Sequence, residues 1–123
     1  MKLTKIFSLS EFQSKDGAKM PDEVKTQVVR LACNLQRLRN VFNAPITINS
    51  GYRSLEHNKS VGGAKNSQHL TGKAADIVVD GIDPIQVKET IEQLILDGEM
   101  LQGGLSTYDS FVHYDIRGQK ARW

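Results

Sequence analysis

Three side chains in this sequence have the types and spacing to hold a divalent metal. His69 and Asp76 lie seven positions apart in the run Ser67-Gln68-His69-Leu70-Thr71-Gly72-Lys73-Ala74-Ala75-Asp76, and His113 sits in Phe111-Val112-His113-Tyr114-Asp115. Two imidazoles and one carboxylate suit zinc, whose catalytic sites keep three protein ligands and leave a fourth position to water. Such an ion lowers the pKa of that water to about 7 and polarises a carbonyl, which is hydrolytic chemistry. Spacing alone leaves a second arrangement open, with His69 at the surface and Asp76 paired structurally. Cys33 is the only cysteine, so an intrachain disulfide and a thiolate cage are both excluded; it is expected to be a semi-buried helix residue.

The elements that must position these groups are legible in the pattern. Ser8 with Glu11 three residues on is a reciprocal cap, predicting one helical turn over Leu9 to Phe12; residues 3 to 7 before it read as an edge strand or an extended arm. Pro21 opens the longest helix, with Asp22 and Glu23 suited to its positive end. Val24, Val28, Leu31, Leu35, Leu38 and Phe42 make its apolar stripe, and Pro45 ends it near Asn43. Ile46 to Asn49 is a strand, and Ser54 caps a short helix to about Ser60. Ala74 to Val79 is apolar on both faces and so a central strand, which makes Asp76 a costly charge unless something compensates it. Asp83 and Pro84 start a further helix ending at Gly98. Met100 to Ser106 and Phe111 to Ile116 are strands expected to pair antiparallel. On the last, Val112, Tyr114 and Ile116 face the core, and His113 and Asp115 face a cleft. The order predicts an α+β domain, a small mainly antiparallel sheet with helices packed against it.

The 123 residues make one domain, 1–123, large enough for its own core. About 39% apolar and 24% charged residues are ordinary globular values. The net charge of +2 is small and the cations are dispersed, so no nucleic-acid partner is expected, and no stretch is apolar enough for a membrane partner. The N-terminal cations are not followed by an apolar run, which reads as synthesis in the cytoplasm without a signal peptide. A monomer is expected. The Gly62-Gly63 and Gly103-Gly104 pairs lack the Lys-Ser/Thr ending of a phosphate loop.

The ten residues from Ser67 to Asp76 resemble the Ser-x-His-x-x-Gly-x-Ala-x-Asp signature of the zinc D-Ala-D-Ala carboxypeptidase and L-alanyl-D-glutamate endopeptidase family, whose fold is shared with the hedgehog signalling domain. Ser50-Gly51-Tyr52-Arg53-Ser54 is similar to that family's Ser-Gly-Tyr-Arg-Ser element. Phe111 to Asp115, with Arg117-Gly118 and Arg122-Trp123, resembles the ending of a small single-domain subfamily. The resemblance implies a hedgehog/DD-peptidase-like fold, Zn2+ as cofactor, and His69, Asp76 and His113 as its ligands. It implies Arg53 as the cation that steadies the oxyanion; a salt bridge from Arg53 to Asp76 or Asp115 is the structural alternative. Many relatives carry an acidic base three residues before the last histidine, where this chain has Ser110. Asp115 is the favoured replacement and Asp109 the second, while a supporting role behind a zinc histidine or Arg53 is the alternative for Asp115. Ser67, Gln68 and Tyr52 are candidate substrate contacts, Tyr108 a candidate groove residue, His57 a surface residue, and Trp123 either packed or exposed.

The activity implied is hydrolysis of peptide bonds in peptidoglycan stem peptides or crosslinks, as carboxypeptidase or endopeptidase. Action on the cell wall without a signal peptide suits a phage-type lysis protein or some other export. The missing acidic residue at Ser110 leaves room for a non-catalytic, zinc-containing wall-binding module.

Overall fold

A computed structural model describes all residues, 1–123. Three helices, α1 (Asp22–Phe42), α2 (Leu55–Ser60) and α3 (Pro84–Leu96), accompany five strands: β1 (Ile46–Ser50), β2 (Ala74–Val79), β3 (Gly104–Thr107), β4 (Val112–Asp115) and β5 (Ala121–Arg122). Single 3-10 turns occupy Leu9–Phe12 and Gln68–Thr71. The sheet order is β1-β2-β4-β3-β5, so the two strands bearing Asp76 and His113 are central neighbours.

Local chemistry explains the boundaries. Glu11 accepts a hydrogen bond from the Ser8 backbone N–H at 2.7 Å, which is the Glu11 half of the expected reciprocal cap. Pro21 stands just outside α1 in extended geometry, and Asn43 closes the helix in the left-handed region at φ 49° with its N–H on Arg39 O. The stripe of α1 buries Val24, Val28, Leu31, Leu35 and Leu38. Asp83 accepts from the Ile85 N–H to cap α3, and Val87 and Ile91 anchor that helix. These side chains share one core with Ile48, Ala75, Ile77, Leu105, Val112 and Tyr114.

Two expectations change, for Cys33 and for the start of β3, and two are narrowed. Of the two readings of residues 3 to 7 the edge strand falls: the segment forms no strand, and an isolated bridge joins Lys2 and Ser8 on either side of it. Cys33 is exposed rather than semi-buried, because it falls beside the stripe of α1 and not on it. Strand β3 begins at Gly104, later than Met100. The sheet is mainly antiparallel as expected, in β1–β2, β2–β4 and β4–β3, and is mixed because β5 adds in parallel to β3. A two-residue strand has too short a hydrophobic period to be seen in sequence. It is held by Arg122, which forks onto Glu92 of α3 at 2.8 and 2.7 Å and donates to Gly103 O at 2.6 Å.

Candidate metal centre

Asp76 and His113 are directly opposite in the β2–β4 ladder. Opposed residues in an antiparallel pair place their side chains on the same face of the sheet, close enough to touch. The ladder therefore joins two parts of the chain 37 residues apart. His69 arrives from the 3-10 turn that precedes β2. Ser67 caps that turn by accepting from the His69 N–H, and Gly72 ends it at φ 76°. At Gly72 a Cβ would also come within 2.7 Å of the Val24 side chain, so the glycine lets the turn lie against α1.

The three groups converge on Asp76 Oδ1, with His69 Nε2 at 3.3 Å and His113 Nδ1 at 3.2 Å. The other nitrogen of each ring decides which tautomer is present. His69 Nδ1 is 2.7 Å from Gly51 O; a carbonyl only accepts, so Nδ1 carries the proton and Nε2 the lone pair. His113 Nε2 is 2.7 Å from Asp115 Oδ2, so by the same reasoning Nδ1 presents the lone pair. Two imidazole lone pairs and a carboxylate oxygen, all buried and facing one another, repel unless a cation or a proton lies between them. Tetrahedral zinc with bonds of roughly 2.0–2.1 Å sets neighbouring donors about 3.3–3.4 Å apart, close to the two separations from Asp76 Oδ1. The donor types are those of a zinc site, and the three ligand atoms all lie within 4.8 Å of one another.

The partners around these donors are equally specific. Arg53 gives Nη2 to Asp76 Oδ2 at 3.3 Å, Nε to Ser50 Oγ at 3.1 Å and Nη1 to Asn58 Oδ1 at 3.3 Å. It thus occupies the Asp76 oxygen that faces away from the imidazoles, leaving Oδ1 for a metal. Burial would raise the Asp76 pKa, but in the metal-free protein hydrogen bonds from protonated His113 and His69 outweigh it and hold the carboxyl well below the usual range. Asn58, buried on α2, also donates to Ala64 O at 2.9 Å and so ties Arg53 to the 61–67 loop; sequence reasoning missed it, although a polar residue on a short helix five positions after Arg53 was the available signal.

Several expected positions are corrected. Asp115 does not open into the cleft. It is 0% exposed, and its oxygens accept from His113 Nε2, the Gly104 N–H, the Arg117 N–H, Arg117 Nε and Arg117 Nη2. Strand alternation correctly put it on the face of His113, but the Gly104 backbone and the Arg117 guanidinium close over its carboxylate. At Gly104 a Cβ would lie 2.2 Å from Asp115 Oδ2, so the glycine there serves close approach. Asp109 is exposed and borders a different, smaller depression. Tyr52 is 8% exposed and part of the core, not a cleft wall; its backbone N–H is spent on Phe12 O. His57, as expected, stays outside the cleft.

A cleft of about 800 Å³ lies over the three donors, with Arg53, Ser67 and Gln68 among its lining residues. Its far wall is aromatic. Trp123, 55% exposed, lies 5.0 Å from the His113 ring and gives its indole N–H to Tyr108 Oη at 2.9 Å. Tyr108 stacks on Phe111 at 4.5 Å. Arg117 lines the same wall. Asp76 is the one carboxylate among the lining residues.

A buried two-histidine, one-aspartate cluster under an open cleft on an α+β sheet defines a zinc centre of the hydrolase type. A family model described as Peptidase M15 matches residues 5–115, and the chain belongs to the peptidase M15 family. It is 37% identical over 89 residues to the probable peptidoglycan L,D-endopeptidase MepK of Haemophilus influenzae, covering 67% of this chain and 45% of that protein. It is 50% identical over 44 residues to the zinc D-Ala-D-Ala carboxypeptidase of Streptomyces albus G, covering 35% of this chain and 17% of that protein. The chain thus spans less than half the length of these curated relatives. Zinc, the metal in the name of the second relative, is the ion the donor set fits.

Proposed function

We propose that this chain is a zinc-dependent peptidase acting on peptide bonds of peptidoglycan, in stem peptides or crosslinks, on a hedgehog/DD-peptidase-like fold. The observation that carries this reading is the convergence of two imidazole lone pairs and one carboxylate oxygen at the floor of an open cleft. His69, Asp76 and His113 would hold the ion. Bound there, zinc supplies Lewis acidity, polarising a carbonyl and making water nucleophilic near neutral pH. Arg53 fixes Asp76 through Oδ2 and presents positive charge along the cleft wall, where a carbonyl oxygen gaining charge is stabilised more than in the ground state. Ser67 and Gln68 offer polar contacts to the peptide backbone. Asp115 orients His113 and pins its proton on Nε2; with all of its acceptor capacity used inside the protein, it is a positioning residue and not the base. The names of both relatives support the substrate class. Carboxypeptidase and endopeptidase action, a phage-type role and action as a monomer all belong to this proposal.

One observation favours a second reading, a zinc-containing module that binds wall peptides without cutting them: no carboxylate other than Asp76 lines the cleft. Incubation of the purified zinc-loaded protein with muropeptides and crosslinked wall fragments, followed by mass spectrometry, separates the two. New products that vanish with chelator are the expected result. Retention on wall fragments with no chelator-sensitive product from any of them would overturn catalysis in favour of binding.

A further inference from the structure

Three cations line the cleft: Arg53, Lys65 and Arg117. They differ in what their nitrogens are doing. Each guanidinium nitrogen of Arg53 already has a partner. Lys65 is exposed on the loop before His69, so nothing fixes its ammonium. Arg117 is intermediate in a useful way. Its Nε and Nη2 grip Asp115 at 2.9 and 2.8 Å, and its guanidinium lies 5.5 Å from the centre of the Trp123 ring. The fork and the ring together hold the plane, and Nη1 remains with two N–H donors and no protein partner. A planar, permanently charged group held this way is preorganised for a carboxylate.

We propose that Arg117 is the anchor for a substrate carboxylate, bound beside Trp123 on the His113 side of the cleft. This rests on the proposed function only in taking the ligand to be a peptide. Hydrogen bonds of 2.7 and 2.8 Å link His113 to Asp115 and Asp115 to Arg117, so the free donors lie within about three residues of extended chain from the metal ligands. The carboxylate has two sources in a wall stem peptide: the chain terminus, or the α-carboxyl of a γ-linked D-glutamate.

The test uses zinc-saturated protein and the pentapeptide L-Ala-γ-D-Glu-L-Lys-D-Ala-D-Ala in four forms: unmodified, C-terminally amidated, with D-isoglutamine replacing D-glutamate, and with both changes. Trp123 is the only tryptophan and touches Arg117, so stopped-flow fluorescence reads binding before turnover, and initial rates give kcat and KM. One of the two single amidations is expected to weaken binding roughly tenfold, the scale of a charge-assisted hydrogen-bond pair, with the change in KM rather than kcat; which one identifies the source. In Arg117→Gln the four peptides should bind alike, at the level of the amidated form, and Arg117→Lys should fall between. Equal binding of all four by the native protein overturns the proposal. So does an Arg117→Gln protein, zinc-loaded by metal analysis, that weakens amidated and free forms by the same factor, since that is the mark of a purely structural role through Asp115. Should Arg117→Gln fail to fold, the amidation series on the native protein decides. Discrimination without cleavage would sink the peptidase reading and keep the anchor; cleavage without discrimination would do the reverse.

Discussion

Asp76 and Asp115 are both buried aspartates on neighbouring strands, and what their oxygens face separates their roles. Asp76 turns one oxygen towards the imidazoles, whereas Asp115 spends both oxygens on His113, Arg117 and Gly104. Asp115→Asn is therefore expected to weaken zinc binding about 10–100-fold, as loss of a partner behind a metal histidine does. Turnover should largely recover when zinc is saturating; a protein with zinc bound and turnover abolished would instead restore Asp115 as the base. His113 carries the pH dependence. Burial would lower its pKa, but in the metal-free protein the hydrogen bonds to Asp115 and Asp76 outweigh burial and raise it. A raised histidine stabilises the fold fully below its unfolded pKa, and that contribution is lost as pH rises through the folded value. Thermal melts of chelated protein should thus show stability falling as pH climbs above about 6.5, and zinc should abolish the fall because the ion replaces the proton. On the acid side the signs reverse. Asp76 and Asp115 are held below the usual carboxylate range, so their contribution is present above about pH 4 and lost below it.

Among the elements, β3 decides more of the site than its four residues suggest. Its first residue must let Asp115 approach, since a Cβ at Gly104 would also lie 2.8 Å from Arg117 Nη2. Gly104→Ala is expected to destabilise by about 1–3 kcal/mol, the cost of overpacking, and to loosen zinc as well; denaturant unfolding with and without metal reads both. The start of α2 is held differently. Ser54 Oγ accepts from the His57 N–H at 3.1 Å and donates to Asp16 at 2.5 Å, and hydrogen bonds from Ser54, Ser14 and the Ala18 N–H keep Asp16 down to about 2. Ser54→Ala should cost about 1 kcal/mol as a lost cap, with zinc affinity unchanged, because no ligand hangs from that helix.

At the scale of the whole molecule, the ion would tie together a turn, β2 and β4, which only folding brings within reach of one another. Metal binding is then folding free energy. At a zinc concentration about 100 times the dissociation constant the gain is about 2.7 kcal/mol, so the melting temperature should drop on chelation and return with zinc. A melting temperature indifferent to zinc would mean that the three donors do not share an ion.

Much of this was written in local pattern. The stripe of α1, the caps at Ser54 and Asp83, and the alternation of β2 are short-range preferences that a linear reading captures. The Ser67–Asp76 run carries two of the three metal donors, His69 and Asp76, within ten residues. What that reading could not supply is the environment of a side chain. His113 and Asp115 share a strand face, yet one lines the cleft and the other is sealed, because the Gly104 backbone and the Arg117 guanidinium pack onto Asp115 alone. Tyr52, beside Arg53 in the same five-residue element, points into the core for the same kind of reason. The parallel β5, the fork of Arg122 and the clamp on Arg117 all rest on contacts between residues distant in sequence. Period and propensity encode which way a residue faces; which neighbour then covers it was settled only when the chain packed.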